Sequence, residues 1–394
     1  MIKYISLLII PILCMSENLY TQLAHKHIYL EGETQDKSGS ANYDKFIVNT
    51  VGNFIHEDTS LNYDVELYSF SSIPKPHRSI SISYSEEQKS GYQINSLYAK
   101  QNIGDFSTYV GVMPFRGGRF SEMKDPLTNG GNSMPIISSQ NLLSIFQTYK
   151  TDDIDIIVGI GKVDEFTNFR GLEDSNKDTH GKFLLIKKES DKQLIELDAF
   201  EVDVQMRGFD YSRLRLLALG YLYDDSLDSG LSAFVNVSMS NNKENIEDYI
   251  ASQNTPNYIR DYMGTLGYTV TNQNNTGYAL LLGAKYDMSI YNYDAFIGAE
   301  YFKTKDGYVS MNHGTLFLSD HSFWQNRDSS EHIIYTGIEI NNHFTILGQY
   351  SWGESNKVAT GFSISNLTSD TSGLYGFDSF QKFMKFQMTM NYRF

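Results

Sequence analysis

Residues 384–394 read MKFQMTMNYRF. Met384, Phe386, Met388, Met390, Tyr392 and Phe394 fall on one side of an extended backbone. Lys385, Gln387, Thr389, Asn391 and Arg393 fall on the other. Side chains of a strand alternate between two faces, so this segment carries one apolar and one polar face.

The same period recurs upstream. Leu231, Ala233, Val235, Val237 and Met239 oppose Ser232, Asn236, Ser238 and Ser240, with Phe234 out of pattern. Tyr278, Leu280, Leu282, Ala284, Tyr286 and Met288 oppose Gly283, Lys285 and Asp287, and Phe344, Ile346, Gly348, Tyr350 and Trp352 oppose Thr345, Gln349 and Ser351. Ile80, Ile82 and Tyr84 oppose serines. Each run has about the 9–11 residues that a tilted strand needs to cross a bilayer. Strands are expected to begin near Lys45, Leu61, Arg78, Gly91, Asp105, Leu142, Asp153, Gly181, Gln193, Phe209, Ser229, Thr276, Tyr291, His332, His343 and Gln381. A weaker strand at His27–Thr34 extends the set or pairs with the closing strand. In Gln193–Met206 the apolar parity switches after Ala199, and a β-bulge near Ala199 and Phe200 would repair it.

The connections alternate in length. Short ones include Ile73–His77, Ile103–Gly104, Thr151–Asp152, Glu189–Lys192, Asp224–Asp228, Ser289–Ile290 and Asn341–Asn342. The long ones, Arg116–Asn141, Asp164–His180, Asn241–Asn275, Thr304–Glu331 and Gly353–Phe380, all fall on the opposite side. This asymmetry, with the terminal aromatic, resembles Gram-negative outer-membrane β-barrels. The resemblance implies an all-β, up-and-down antiparallel transmembrane barrel of about sixteen strands. It also implies that Phe394 is the assembly signal read by the barrel assembly machinery.

Composition fits that class. Mean hydropathy is −0.36, as expected when only alternate strand residues face lipid. The net charge of −15 excludes nucleic acid as a partner, because polyanion binding needs basic patches. Lys3 followed by the apolar run Ile5–Met15 reads as a secretory signal cut after Ser16. Cys14, the single cysteine, lacks the small residue expected before a lipoprotein anchor, since Leu13 precedes it. The expected organisation is 1–16 signal peptide, 17–44 periplasmic extension or first strand, and 45–394 barrel.

Loop order extends the resemblance to sixteen-stranded general porins. It implies a constriction loop at Arg116–Asn141, with Glu122 and Asp125 as an acidic rim beside Arg119 and Lys124, although the family's acidic loop motif is absent. On the wall, Arg213 and Arg215 share a face with Tyr211. With Glu196, Asp198, Glu201 and Asp203 on the preceding strand they read as a lumen ladder, because charge facing hydrocarbon costs roughly 2–4 kcal/mol at the midplane. Lys285, Glu300 and Glu339 add lone wall charges, and Gly159, Gly161, Gly283, Gly298 and Gly337 read as small residues lining an open bore. Tyr291, Tyr293, Tyr301, Tyr350, Trp352, Tyr392 and Phe394 read as interfacial girdles.

Catalytic signals are weak. Gly159-Ile-Gly-Lys162 lacks phosphate-loop spacing. His25 and His27 lack a third metal ligand, and Glu173, Asp174 and Asp178 lack calcium-loop spacing. Neither a cofactor nor a metal is expected. The resemblance implies a water-filled channel for small hydrophilic solutes and ions, in contact with outer-membrane lipids and lipopolysaccharide, and assembled as a homotrimer; the net acidic loops predict a mild cation preference. A non-channel barrel, serving as an adhesion scaffold or a membrane-embedded enzyme, is the alternative.

Overall fold

The computed structural model describes residues 18–33, 38–70, 90–117, 138–163, 179–206, 209–244, 273–305, 308, 311–312, 329–355 and 382–393. Its strands are β1 (Asn18–Glu33), β2 (Ser38–His56), β3 (Thr59–Phe70), β4 (Ser90–Ile103), β5 (Phe106–Gly117) and β6 (Ser138–Lys150). There follow β7 (Ile154–Val163), β8 (Thr179–Ser190), β9 (Gln193–Met206), β10 (Phe209–Asp225), β11 (Leu231–Glu244), β12 (Gln273–Ile290) and β13 (Tyr293–Lys305). The two-residue β14 (Met311–Asn312) precedes β15 (Ser329–Asn341), β16 (Phe344–Ser355) and β17 (Lys382–Arg393).

All of these except β14 form one antiparallel wall in which each strand pairs with its sequence neighbours. β1 closes the ring against β17, with Leu23 opposite Tyr392 and Tyr29 opposite Phe386. The wall therefore has sixteen strands. The expected number is right, but its membership differs. β1 is a full strand, and β3 pairs directly with β4, leaving no place between them for a strand near Arg78. Residues 71–89, which include Ile73–His77 and the Ser79, Ser81 and Ser83 run, lie outside the described residues.

Tight turns join alternate strand pairs on one rim, called here the turn side. Tyr291 and Asn292 both take positive φ (51° and 71°), the combination that matches a two-residue turn to the twist of its strands. Lys192 bonds Asp225 and Asp228 of the neighbouring turn. Those hydrogen bonds push its ammonium pKa above the usual lysine value, so it stays charged and stitches two hairpins together.

The outer face carries the lipid-compatible band. Leu217, Leu219 and Tyr221 on β10 and Val235, Val237 and Met239 on β11 are exposed. Between them on the strand lie buried Leu214, Leu216 and Ala218, and Asn236, Ser238 and Ser240. Aromatics border the band. On the other rim, the loop side, Tyr301, His332, Trp352 and Tyr350 form a chain of ring contacts 4.9–5.5 Å between centroids. On the turn side Phe106 meets Tyr149 at 4.9 Å and Tyr291 is almost wholly exposed.

The inner face is not lined by bare glycines. Gly159 lies opposite Phe183, Gly283 opposite Phe234, Gly298 opposite Tyr335 and Gly337 opposite Phe296. In each pair a Cβ on the glycine would overlap the ring. These glycines make room for aromatic side chains from the next strand, which corrects the open-bore reading of them. Overpacking costs about 1–3 kcal/mol, so Gly298→Ala should lower the urea midpoint of the folded barrel. Gly348→Ala, whose new Cβ would meet nothing nearer than Thr336 Cγ2 at 3.8 Å, should leave it unchanged. The heat-modifiable shift in electrophoretic mobility measures both.

Candidate functional site

The bulge expected near Ala199 is absent. β9 runs in unbroken register with β8 from Gln193 to Val204. The parity switch is real, and it marks the edge of the lipid band. Outward positions go from Ile195, Leu197 and Ala199 to Glu201 and Asp203. Inward positions go from Glu196 and Asp198 to Phe200 and Val202, all four buried.

This geometry divides the expected lumen ladder in two. Arg213 and Arg215 share the outer face with Leu217, Leu219 and Tyr221, and their side chains are 52% and 57% exposed. Arg213 Nε bonds Asp203 Oδ1 at 2.5 Å, and Arg215 Nε bonds Glu201 Oε2 at 2.6 Å. The physical reason is height. Across the pairs Ala199–Leu217 and Leu217–Met239 the outer wall is apolar, and one step toward the loops it becomes Glu201–Arg215 and Arg215–Asn241. Charge beyond the hydrocarbon edge avoids the midplane penalty, so the argument that placed these four residues inside does not apply to them.

Glu196 and Asp198 do face the interior, at 0% and 1% exposure. Their strand, β9, stands eight places around the sixteen-strand ring from β1. There, Lys26 of β1 lies opposite Lys45 of β2, and Lys385 stands on β17 next door. All three lysines are buried on the inner face. Lys45 Nζ reaches Glu66 Oε1 at 3.2 Å. An acidic strand thus faces a basic arc across the barrel. Glu300 and Glu331 add buried interior carboxylates on β13 and β15, and Lys285 sits 3.1 Å from Asp287 and 5.6 Å from the Phe296 ring.

A second interior feature is a segment that leaves the wall. After β13, Tyr308 is fully buried, and its hydroxyl lies 2.9 Å from Ser238 Oγ on the inner face of β11. Ser238 donates its own proton to Leu217 O at 3.0 Å, so Tyr308 is the donor. Three residues on, β14 pairs in parallel with Ser138 and Ser139 of β6. β6 is seven places around the ring from β13, so this stretch crosses the interior. Its base is clamped where Thr304 Oγ1 meets Ser329 Oγ at 3.0 Å and accepts the Ser329 amide at 3.1 Å. Arg119, Glu122, Lys124 and Asp125, the expected constriction residues, lie outside the described residues, as does Phe394.

A third feature is an inner aromatic row. Tyr98, Tyr109, Phe146 and Phe183 follow one another across β4, β5, β6 and β8 with centroids 5.8, 4.6 and 5.7 Å apart. Gly159 supplies the gap on β7. Lys100 stands 5.5 Å over the Tyr109 ring. The row presents flat apolar faces on the inner side of the wall.

Among the described residues no group of three or more His, Cys, Asp or Glu is placed to hold a metal ion. His25 Nε2 and His27 Nδ1 instead converge on one oxygen, Asp44 Oδ1, at 3.0 and 2.9 Å on the outer wall.

No family model matches the chain, and no curated protein matches it. Among solved structures, the anion-selective porin from Comamonas acidovorans aligns over 96% of this chain and 99% of its own, at 8% identity and a TM-score of 0.54. The chain has the fold of the outer-membrane porins. Two other structures align with this porin fold over 96% of the chain. OccK8 (OprE) of Pseudomonas aeruginosa matches at 11% identity over 99% of its own length, with a TM-score of 0.48. OmpT of Vibrio cholerae matches at 9% identity over 97% of its length, with a TM-score of 0.49.

Within the porin fold, the basic arc was missed by sequence reasoning although its signal was present. Lys385 lies on the polar side of the closing strand, and Lys26 alternates with Gln22, Ala24 and Ile28. Tyr308 and Ser238 carry no such signal, since nothing in a sequence announces which long connection turns inward.

Proposed function

We propose that the chain forms a water-filled channel in a Gram-negative outer membrane for passive diffusion of small hydrophilic solutes and ions. The observation that carries this reading is a closed barrel with an apolar outer band whose inner face sets carboxylates on β9 opposite lysines on β17, β1 and β2. Opposed charges order water and ions across a bore while the barrel's width sets the size limit. Selectivity is mildly cationic, because the buried interior charges include five carboxylates (Asp64, Glu196, Asp198, Glu300, Glu331) and three lysines (Lys26, Lys45, Lys385). The crossing segment after β13 narrows the bore. In the loop at Arg116–Asn141, Glu122 and Asp125 form an acidic rim of the constriction beside Arg119 and Lys124. The chain is exported by its signal peptide and inserted by the barrel assembly machinery through Phe394. It sits among outer-membrane lipids and lipopolysaccharide, as a homotrimer, and needs no cofactor.

Liposome swelling tests the channel. Vesicles holding the folded protein should swell in isotonic solutions of small sugars, at rates that fall as sugar size rises. A second reading has its own observation: Phe200, Val202, Leu214 and Leu216 are buried on the inner face, so the interior beside β9 and β10 is packed. Vesicles that hold the folded barrel and fail to swell with any sugar favour a plugged scaffold instead.

A further inference from the structure

Asn236 is wholly buried on the inner face of β11, and among the described residues neither its Oδ1 nor its Nδ2 has a hydrogen-bond partner. An amide buried in this way is costly, and native proteins account for one by a water or an ion. Its surroundings favour the ion. Asn236 lies opposite Gly220 of β10, and Gly220 lies opposite Glu196 of β9. One inward position along, Ser238 lies opposite Ala218, and Ala218 lies opposite Asp198. The middle strand thus presents small inward residues, over which side chains of β9 and β11 lean toward each other. Strands two places apart are separated by about 9–10 Å, a gap that such side chains close from both sides around one ion. Glu196 and Asp198 are as buried as Asn236, and buried charge needs a paired charge or a metal. On β8, Glu196 meets Lys187 and Asp198 meets Leu185, so the ladder brings one ammonium to two carboxylates.

We propose that Glu196, Asp198, Asn236 and Ser238 bind a divalent cation of calcium's class. Calcium takes six to eight oxygens at about 2.3–2.6 Å, from carboxylates, amide carbonyls and water, in flexible geometry. The two carboxylates approach it from β9, and the Asn236 carbonyl and Ser238 hydroxyl from β11, with water completing the shell. A hydroxyl oxygen has two lone pairs. Ser238 Oγ takes the Tyr308 proton with one of them and keeps the other for the ion. Tyr308 also brings the segment that crosses the interior against this site. Lys187 opposes the ion from β8, which sets the affinity in the weak range for calcium, at about 10⁻⁴–10⁻³ M.

The test is calorimetric titration of the folded barrel in neutral detergent with calcium chloride, and with magnesium chloride for comparison. Wild type is set against Asn236→Leu, so that calcium held by the acidic loops cancels. Loss of this ligand should weaken the interior site at least about tenfold, and magnesium, which demands near-ideal octahedral geometry, should bind wild type less well. Calcium should raise the temperature of the heat-modifiable mobility shift in wild type and leave that of Asn236→Leu where it was. Without calcium the variant should be at least as stable as wild type, because an apolar side chain replaces an unpaired amide. Asp198→Asn, which keeps the side-chain shape, should also bind at least about tenfold more weakly. Lys187→Met removes the opposing ammonium and should bind calcium more tightly. Titrations of Asn236→Leu and Asp198→Asn that match wild type overturn the proposal and leave water as the occupant. Binding is read in detergent without conduction. A barrel that holds calcium here and passes no current leaves this inference standing and removes the channel reading alone.

Discussion

Tyr308→Ala should raise single-channel conductance and make it noisier. Tyr308 is wholly buried, and its hydroxyl donates to Ser238 Oγ, which is itself tied to Leu217 O. Removing a buried aromatic side chain costs about 3–5 kcal/mol. Here that cost falls on one docking contact, because the wall strands on either side keep their ladder hydrogen bonds. The segment crossing toward β6 then loses its inner anchor. Tyr308→Phe separates the two contributions. It removes a hydrogen bond worth about 0.5–1.5 kcal/mol and keeps the ring, so its conductance should stay near wild type. If Tyr308→Ala conducts as wild type does while remaining folded, the segment does not narrow the pore.

The second large effect is on selectivity. Glu196→Gln with Asp198→Asn should move the reversal potential under a salt gradient toward the anion side. At about 10 Å through water a unit charge contributes roughly 0.4 kcal/mol, which raises the local cation about twofold and lowers the anion about twofold, so their ratio changes about fourfold. Two carboxylates facing one bore therefore change the cation-to-anion permeability ratio by about sixteenfold at low ionic strength, where screening is weak. Lys26→Met with Lys385→Met should shift it the other way. By contrast, Arg213→Gln with Arg215→Gln should leave the ratio unchanged, because those side chains stand on the outer wall. That contrast separates the interior charge arrangement from the ladder expected from sequence.

How much was legible follows from what a strand's period encodes. The closing segment, β11, β12 and β16 each carry one apolar and one polar face along most of their length, and the structure turns the apolar face outward as read. Their alternation is set by the lipid band and needs no tertiary information. Where a strand outruns the band the rule inverts. Glu201 and Asp203 are outward because they have left the hydrocarbon, and Phe200 and Val202 are inward because other inner side chains bury them. A bulge was the simplest repair for that parity switch, and the structure shows that none is needed. β1 was harder to recognise because His25, His27 and Tyr29 occupy its outer face where aliphatic residues would have declared it. The reading of a weak strand at His27–Thr34 that extends the set or pairs with the closing strand holds in the ladder with β17, although β1 is longer than that. From β4 onward the connections gave the two sides of the barrel correctly, whereas Ile73–His77, read as a turn-side connection, falls between the loop-side ends of β3 and β4; nor can length say which loop enters. Entry depends on single docking contacts such as Tyr308 with Ser238, seventy residues apart in sequence.

The most direct test of the channel account is single-channel recording of the detergent-purified, folded protein in a planar bilayer under a salt gradient. Stable ohmic steps with a reversal potential of cation-preferring sign are the predicted result. A folded barrel that inserts and passes no current would contradict the account.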